Sequence, residues 1–273
     1  MTVCIGALCE DGRSIVLASD RMMTYGPPVS LQTEPRAKKI LPISGHCCLL
    51  FSGGVAEGEE VASVVRRHAL GAPNMLISEI AEQAKQAYIA LKKKRVEDTV
   101  LRPFLGLDFQ GFQALVAQSS SSQILGQVMG FVVQHNLELD LLVAGLDAEG
   151  AHLYGVTHPG ILNPLETMGF AAVGSGATHA IIRLCLQRQT RGNSLAESVY
   201  NVYAAKRSSE IAPGVGRVTD MAVIKDGKTT TLADAVLDVL NDTPQEQPAL
   251  DGKYLKAVQD AVQRSLFPEA QQS

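Results

Sequence analysis

The feature that most constrains this chain is the apolar run Val3-Cys4-Ile5-Gly6-Ala7-Leu8-Cys9, which begins directly after Met1-Thr2. It has the length of a strand. The turn signal Glu10-Asp11-Gly12-Arg13 follows, and then a second apolar run, Ser14-Ile15-Val16-Leu17-Ala18-Ser19. Asp-Gly between two such runs predicts an antiparallel hairpin. Centring it on Asp11-Gly12 pairs positions whose numbers sum to about 23, so Thr2 falls opposite Arg21 with Asp20 beside it. No leader is expected in front of this strand, and a small residue at position two favours removal of the initiator Met. Thr2 would then carry a hydroxyl and a free α-amine on one residue, a nucleophile with its own general base.

Composition excludes several classes of function. With 46% apolar and 19% charged residues over 273 positions, the chain suits one large soluble domain with an appendage or two small domains. A net charge of −4 gives no footprint for nucleic acid. The largest basic cluster, Lys92-Lys93-Lys94-Arg95, ends a helical pattern, where cations favour the helix dipole. Five cysteines, Cys4, Cys9, Cys47, Cys48 and Cys185, have no disulfide-framework spacing, which predicts a reducing, cytoplasmic setting. Adjacent Cys47 and Cys48 point to opposite faces of a strand, and His46 reads as a turn residue, so no metal site is expected. No apolar run reaches transmembrane length. Gly174-Ser175-Gly176 lacks the following lysine of a phosphate loop, and no cofactor is expected.

Further along, residues 21–36 read as a loop, broken by Gly26-Pro27-Pro28 and Glu34-Pro35. A second hairpin, turning at Ser44-Gly45-His46, sets Lys39 across from Leu50-Phe51 at its open end. Gly53-Gly54 leads into helical patterns over about 56–69 and 75–96. Residues 97–137 predict mixed and strand-like segments, the polar tract Ser119–Ser122 and a helix near 123–133. Strands are expected at 138–145, 151–156, 171–173 and 221–224, with helices near 178–189 and 194–208. The tail carries helices near 232–240 and 250–266, joined by a Pro-bearing linker. Strands, two helices, strands, two helices, strands: the order predicts an α+β fold.

At this point the residues carry a resemblance. Thr2-Val3-Cys4-Ile5-Gly6, Asp11-Gly12, Val16-Leu17-Ala18-Ser19-Asp20-Arg21, Lys38-Lys39-Ile40, Phe51-Ser52-Gly53-Gly54-Val55-Ala56-Glu57, Val173-Gly174-Ser175-Gly176 and Asp220-Met221-Ala222-Val223-Ile224 stand in the order and approximate spacing of proteasome-type N-terminal-nucleophile hydrolases. The chain resembles that family over most of residues 2–227. The resemblance implies a four-layer αββα sandwich with the N-terminal strand at its centre, residues 97–137 as an insertion and 228–273 as a helical C-terminal extension. It implies Thr2 as nucleophile, Asp20 as buried aspartate, Lys39 as catalytic lysine and Ser175 as the serine that hydrogen-bonds the N-terminal amine. The family's oxyanion glycine aligns with Leu50, which leaves a backbone N–H there. Its second aspartate aligns with Ser209 or Glu210, so Glu210 is the candidate carboxylate. The serine expected in the following loop is replaced by Gly214 and Gly216, which offer only backbone.

The physical chemistry agrees. An α-amine titrates near pH about 8, and a neighbouring ammonium lowers that value. Lys39 supplies the charge if Asp20 holds it in place. Read singly, Thr2 is a strand former, Asp20 and Lys39 a structural ion pair, and Ser175 a loop or helix cap. Read jointly, they predict a threonine hydrolase that cleaves the amide bonds of peptides and self-associates into a homo-oligomer such as a ring, with any ATP-dependent unfoldase unspecified. The alternatives are a non-catalytic structural subunit and an amidohydrolase acting on a small amide.

Overall fold

The computed structural model describes residues 2–24, 32–34, 38–72, 74–118, 123–243 and 252–268. Its strands are β1 (Cys4–Cys9), β2 (Ser14–Asp20), β3 (Met23–Thr24), β4 (Gln32–Thr33), β5 (Ile40–Ser44), β6 (Cys47–Ser52), β7 (Asp140–Asp147), β8 (Gly150–Thr157), β9 (Ile161–Pro164), β10 (Phe170–Val173), β11 (Thr219–Lys225) and β12 (Lys228–Thr231). Its helices are α1 (Val55–Gly71), α2 (Ile77–Val96), α3 (Arg102–Leu105), α4 (Phe109–Gln118), α5 (Gln123–Gln134), α6 (Ala177–Leu186), α7 (Leu195–Ser209), α8 (Asp234–Asp242) and α9 (Gly252–Leu266). The fold is α+β.

Two five-stranded antiparallel sheets organise it, one in the order β10-β1-β2-β11-β12 and the other β5-β6-β7-β8-β9, beside a small β3-β4 ribbon. In the first hairpin Cys4 pairs with Ser19 and Gly6 with Leu17, the register that centring on Asp11-Gly12 requires. In the second, Ile40 pairs with Leu50. Alternation along the strands then sorts the side chains. From β1, Ile5 and Ala7 join a core with α6, α7, α8 and α9, while Cys4 and Leu8 join a core shared by strands of both sheets. From β6, Cys47, Leu49 and Phe51 pack on α1 and α2, while Cys48 and Leu50 join the core between the strands. The two adjacent cysteines do face opposite ways. All five cysteines are free thiols.

The helical segments follow their periodicity closely, and α7 begins with a capping box. Ser194 N donates to Glu197 Oε2 at 2.8 Å, and Glu197 N donates to Ser194 Oγ at 3.3 Å. Between α2 and β7 the expected strand-like segments are absent among the described residues. A π-helical turn at Glu97–Leu101 leads to α3, α4 and α5, which build a small apolar cluster of Val96, Val100, Leu101, Phe112 and Val128. The Gly and Pro that break the pattern there act as helix punctuation: Pro103 lies in the first turn of α3, and Gly106 ends it in the left-handed region. The tract 119–122 lies outside the described residues, as do most of the 21–36 loop and most of the C-terminal linker. Strand β9 was not expected. It is a short edge strand ending in Pro164, a place where proline costs no ladder bond.

Two packing details generate predictions. A Cβ added at Gly58 on α1 would lie 2.5 Å from the buried Phe51 ring. Overpacking costs about 1–3 kcal/mol, against about 1 kcal/mol gained in helix propensity. Gly58→Ala should therefore lower stability by about 1 kcal/mol, seen as a lower denaturant midpoint at unchanged slope.

The second detail is His152, held between Glu166 (Nδ1 to Oε1, 2.7 Å) and Asp147 (Nε2 to Oδ1, 3.0 Å). Burial works against its charge, but the two carboxylates outweigh that and raise its pKa. Burial also opposes ionisation of Asp147; the N–H groups of Ile77 and Glu149, with His152, hold its carboxyl below the usual range. A raised histidine stabilises the fold fully below its unfolded value of 6.5, and that contribution is lost as pH rises through the folded value. His152→Gln should thus cost more stability near pH 5.5 than near pH 8.5, both about where carboxylates stay ionised. Equal losses in chemical denaturation at the two pH values would contradict the assignment.

Candidate functional site

Folding the first hairpin brings Asp20, the last residue of β2, to Thr2, and the second hairpin delivers Lys39 from the residue before β5. Thr2, Asp20 and Lys39 are all nearly inaccessible. The Thr2 hydroxyl donates to Asp20 Oδ1, and the Lys39 ammonium donates to the Thr2 hydroxyl. Lys39 Nζ also donates to Asp20 Oδ1 at 3.0 Å and to the Met22 carbonyl at 2.6 Å. An ammonium has three N–H donors, and each is matched by an acceptor.

Asp20 is the hub. Besides Thr2 and Lys39, its Oδ1 accepts from Val3 N at 3.1 Å. Its Oδ2 accepts from Met22 N at 3.0 Å and Gly216 N at 2.9 Å. Three backbone donors therefore fix a carboxylate that in turn fixes the ammonium. Charge-assisted bonds of this kind are about twice as strong as neutral ones.

Ser175 arrives from the other side, in the turn between β10 and α6. Thr2 N donates to Ser175 Oγ at 3.1 Å, and Gly176 N donates to the Thr2 carbonyl at 3.2 Å. This approach depends on Gly174, whose φ is +98°. A Cβ there would lie 2.6 Å from Ser52 Oγ and 3.0 Å from the Thr2 carbonyl carbon. No side chain fits between β6 and Thr2 at that point.

The structure thus brings Thr2, Asp20, Lys39 and Ser175 together. It does not bring Glu210. That carboxylate accepts from Lys206 Nζ at 2.8 Å and Arg207 Nη1 at 3.2 Å, and from none of the other four residues. The aligned Ser209 turns back to the Ala205 carbonyl, 2.8 Å away. Gly216, expected to offer only backbone, gives its N–H to a lone pair of Asp20, and the residue that sequence reasoning missed is Lys206. Lys206 has no solvent exposure and donates to Glu210 and to the Arg217 carbonyl, both at 2.8 Å. Burial pulls its pKa down, and Glu210 opposes that. A lysine on the amphipathic pattern of α7 gives no signal of burial; only the packing of α7 against β1 and β2 reveals it.

Leu50 also lies elsewhere. It sits in the middle of β6, paired with Ile40 on one side and Leu142 on the other, with its side chain in the core between the strands. Burying a leucine there stabilises the fold by about 1.5–3 kcal/mol, and its backbone belongs to the sheet ladder. The residues beside Ser175 are instead Ser52, Gly53 and Gly54, at the end of β6 and the start of α1. Gly53 has φ +125°, and Gly54 is the N-cap of α1 with no side-chain cap. A helix N-terminus presents backbone donors of favourable polarity to developing negative charge.

These residues open onto a cavity of about 1,120 Å³, whose walls also include Met22, Val55 and Asp140. Among the described residues no cluster of ligands suited to a metal ion occurs. Cys4, close by on β1, is no rival nucleophile: burial pushes its thiol far above the ordinary range, and its Sγ lies 3.1 Å from the Phe51 carbonyl.

The links from Lys206 to Arg217 and from Gly216 to Asp20 make α7 a support for the site. Lys206→Met should lower stability by about 3 kcal/mol, since it strands a carboxylate that Arg207 only partly neutralises. Urea denaturation checks the figure.

Residues 2–72, which contain Thr2, Asp20 and Lys39, match the family model described as proteasome subunit. A proteasome subunit beta from Nanoarchaeum equitans (strain Kin4-M) is 36% identical over 66 residues, a stretch that makes up 24% of this chain and 31% of that protein. The chain therefore spans about a third of the length of the curated relative it matches. It is through its first quarter, where three of the four assembled residues lie, that the chain is recognised as resembling a proteasome-type N-terminal-nucleophile hydrolase.

Proposed function

We propose that this protein is a threonine hydrolase of proteasome type, which cleaves peptide amide bonds with Thr2 once Met1 is removed. The observation that carries the reading is the buried constellation in which Lys39 donates to the Thr2 hydroxyl, Asp20 holds both, and Ser175 accepts from the Thr2 nitrogen. With Met1 gone, that nitrogen is an amine placed to take the hydroxyl proton. The Thr2 oxygen attacks the amide carbon, and the amine passes its proton to the leaving nitrogen. The ester that forms on Thr2 is then hydrolysed by water. Backbone N–H groups at Gly53 and Gly54 are the proposed oxyanion donors, in place of Leu50. Glu210 is assigned a structural role.

The finer architecture belongs to the same proposal. Separate apolar cores on the outer faces of the two sheets, with a third between their strands, support a four-layer αββα sandwich. Residues 1–227 would form the hydrolase domain with 97–137 inserted, and 228–273 a helical extension docked through α8 and α9. Solvent-facing Ile182 and Leu186, one turn apart on α6, support self-association. Free cysteines support a reducing, cytoplasmic setting. No helix among the described residues is long and apolar enough to cross a membrane.

Intact mass before and after treatment with a β-lactone or epoxyketone probe tests the reading. The protein should lack Met1 and gain one adduct that maps to Thr2, and Thr2→Ala should gain none. Peptide hydrolysis should fall roughly a thousandfold or more in Thr2→Ala, and at least about a hundredfold in Lys39→Met. A chain that keeps Met1, or loses it and ignores the probe, would instead be a structural subunit.

A further inference from the structure

The cavity beside Ser175 has an uneven charge. Its described lining includes three carboxylates, Glu57, Glu138 and Asp140, and neither lysine nor arginine. The three are not equivalent. Glu57 is already neutralised by Arg95, whose Nη2 lies 3.0 Å from Oε1. Glu138 is exposed at the rim. Asp140 is half-buried, and among the described residues its carboxylate has no hydrogen bond and no ion pair.

A second, independent group points into the same space. Ser52 is only 6% exposed and lines the cavity, yet its hydroxyl has no hydrogen-bond partner among the described residues. The oxygen itself is not sealed off, so it is free to accept from or donate to a molecule that enters the cavity. Ser52 and Asp140 are cross-strand partners of β6 and β7, so their side chains stand together on one face. The apolar walls of the cavity around them include Met22, Met23, Val55 and Leu137. A Cβ at Gly174 would meet both Ser52 Oγ and the Thr2 carbonyl group, so Ser52 borders the residue that carries the nucleophile.

An unpaired carboxylate and an open hydroxyl above apolar walls, beside a nucleophile, match one chemical class. A cationic side chain has an apolar stem that lies along such walls and a charged head that needs an acceptor. A guanidinium adds several donors for the carboxylate and the hydroxyl at once. Resting on the threonine-hydrolase reading above, we infer that Ser52 and Asp140 form a specificity pocket for a guanidinium or alkylammonium side chain next to the scissile amide bond. Burial raises the carboxyl pKa of Asp140, with His158 opposing, which is the state of an acid that lacks its cation. The amide bond to be cut would then follow an arginine or lysine.

Two measurements test the pocket separately from the catalysis. Fluorogenic peptides that differ only in arginine, leucine or glutamate before the reporter give the first. The full-length protein should prefer arginine over leucine by about tenfold or more in kcat/KM, and Asp140→Asn should reduce that ratio by about tenfold. Calorimetric titration with agmatine, a guanidinium without a scissile bond, gives the second, using Thr2→Ala and Thr2→Ala/Asp140→Asn. Affinity should be about tenfold weaker in the double variant. If no peptide is cut and Thr2 takes no probe, but agmatine binds and Asp140→Asn weakens it, the pocket stands and only the hydrolase reading fails. A preference for leucine or glutamate, or agmatine affinity that is absent or indifferent to Asp140→Asn, overturns the pocket.

Discussion

The Asp20 carboxylate is the point through which the separate parts of this structure meet. It accepts from Thr2 and Val3 at the chain start, from Met22 just past its own strand, from Lys39 before the second hairpin, and from Gly216 after α7. A buried carboxylate without partners would cost several kcal/mol, of the order of the whole net stability of a domain. Meeting that cost requires four segments to be in place at once. The constraint runs in both directions, because each segment is also carried by apolar packing that places its donor correctly. The loop with Gly216 is tied down by Lys206 on α7, which packs on β1 and on β2, the strand that ends in Asp20. A helix well outside the site therefore bears on where one carboxylate oxygen sits.

Most of the frame was readable from sequence because it rests on short-range rules. Asp11-Gly12 between two apolar runs set the register of the first hairpin, and that register alone set Asp20 beside Thr2. The same reasoning put Lys39 at the open end of the second hairpin. What escaped depended on long-range geometry. Leu50 and Gly53 are three positions apart on one strand and its exit, and only the sheet ladder reveals that the first is enclosed while the second borders open space. Glu210 follows a helix whose last turn also carries Lys206 and Arg207, and both cations claim it. The helices between α2 and β7 were obscured because Pro103 and Gly106 looked like strand-region breaks when they mark the two ends of a short helix.

The cleft and the constellation draw on the same strand. β6 sends Phe51 into the core under α1 and α2, and then ends in Ser52, Gly53 and Gly54 where α1 begins. One strand end thereby supplies a hydroxyl, two glycines without side chains and a helix terminus within a few residues. The likeness to proteasome subunits over residues 2–72 covers this stretch as well as Thr2, Asp20 and Lys39, whereas Ser175 and Asp140 lie outside it.

The cluster of Val96, Val100, Leu101, Phe112 and Val128 has a bearing on dynamics. It is small, and it joins α4 and α5 to the end of α2 without drawing on the cores of the two sheets. Opening it would expose a few apolar side chains and leave both sheets intact. Amide hydrogens of α4 and α5 would then exchange through a local opening of low free energy, while those of β1 and β6 would wait for global unfolding. On this packing α4 and α5 would make up the weaker cooperative unit, able to open while Asp20 keeps its partners.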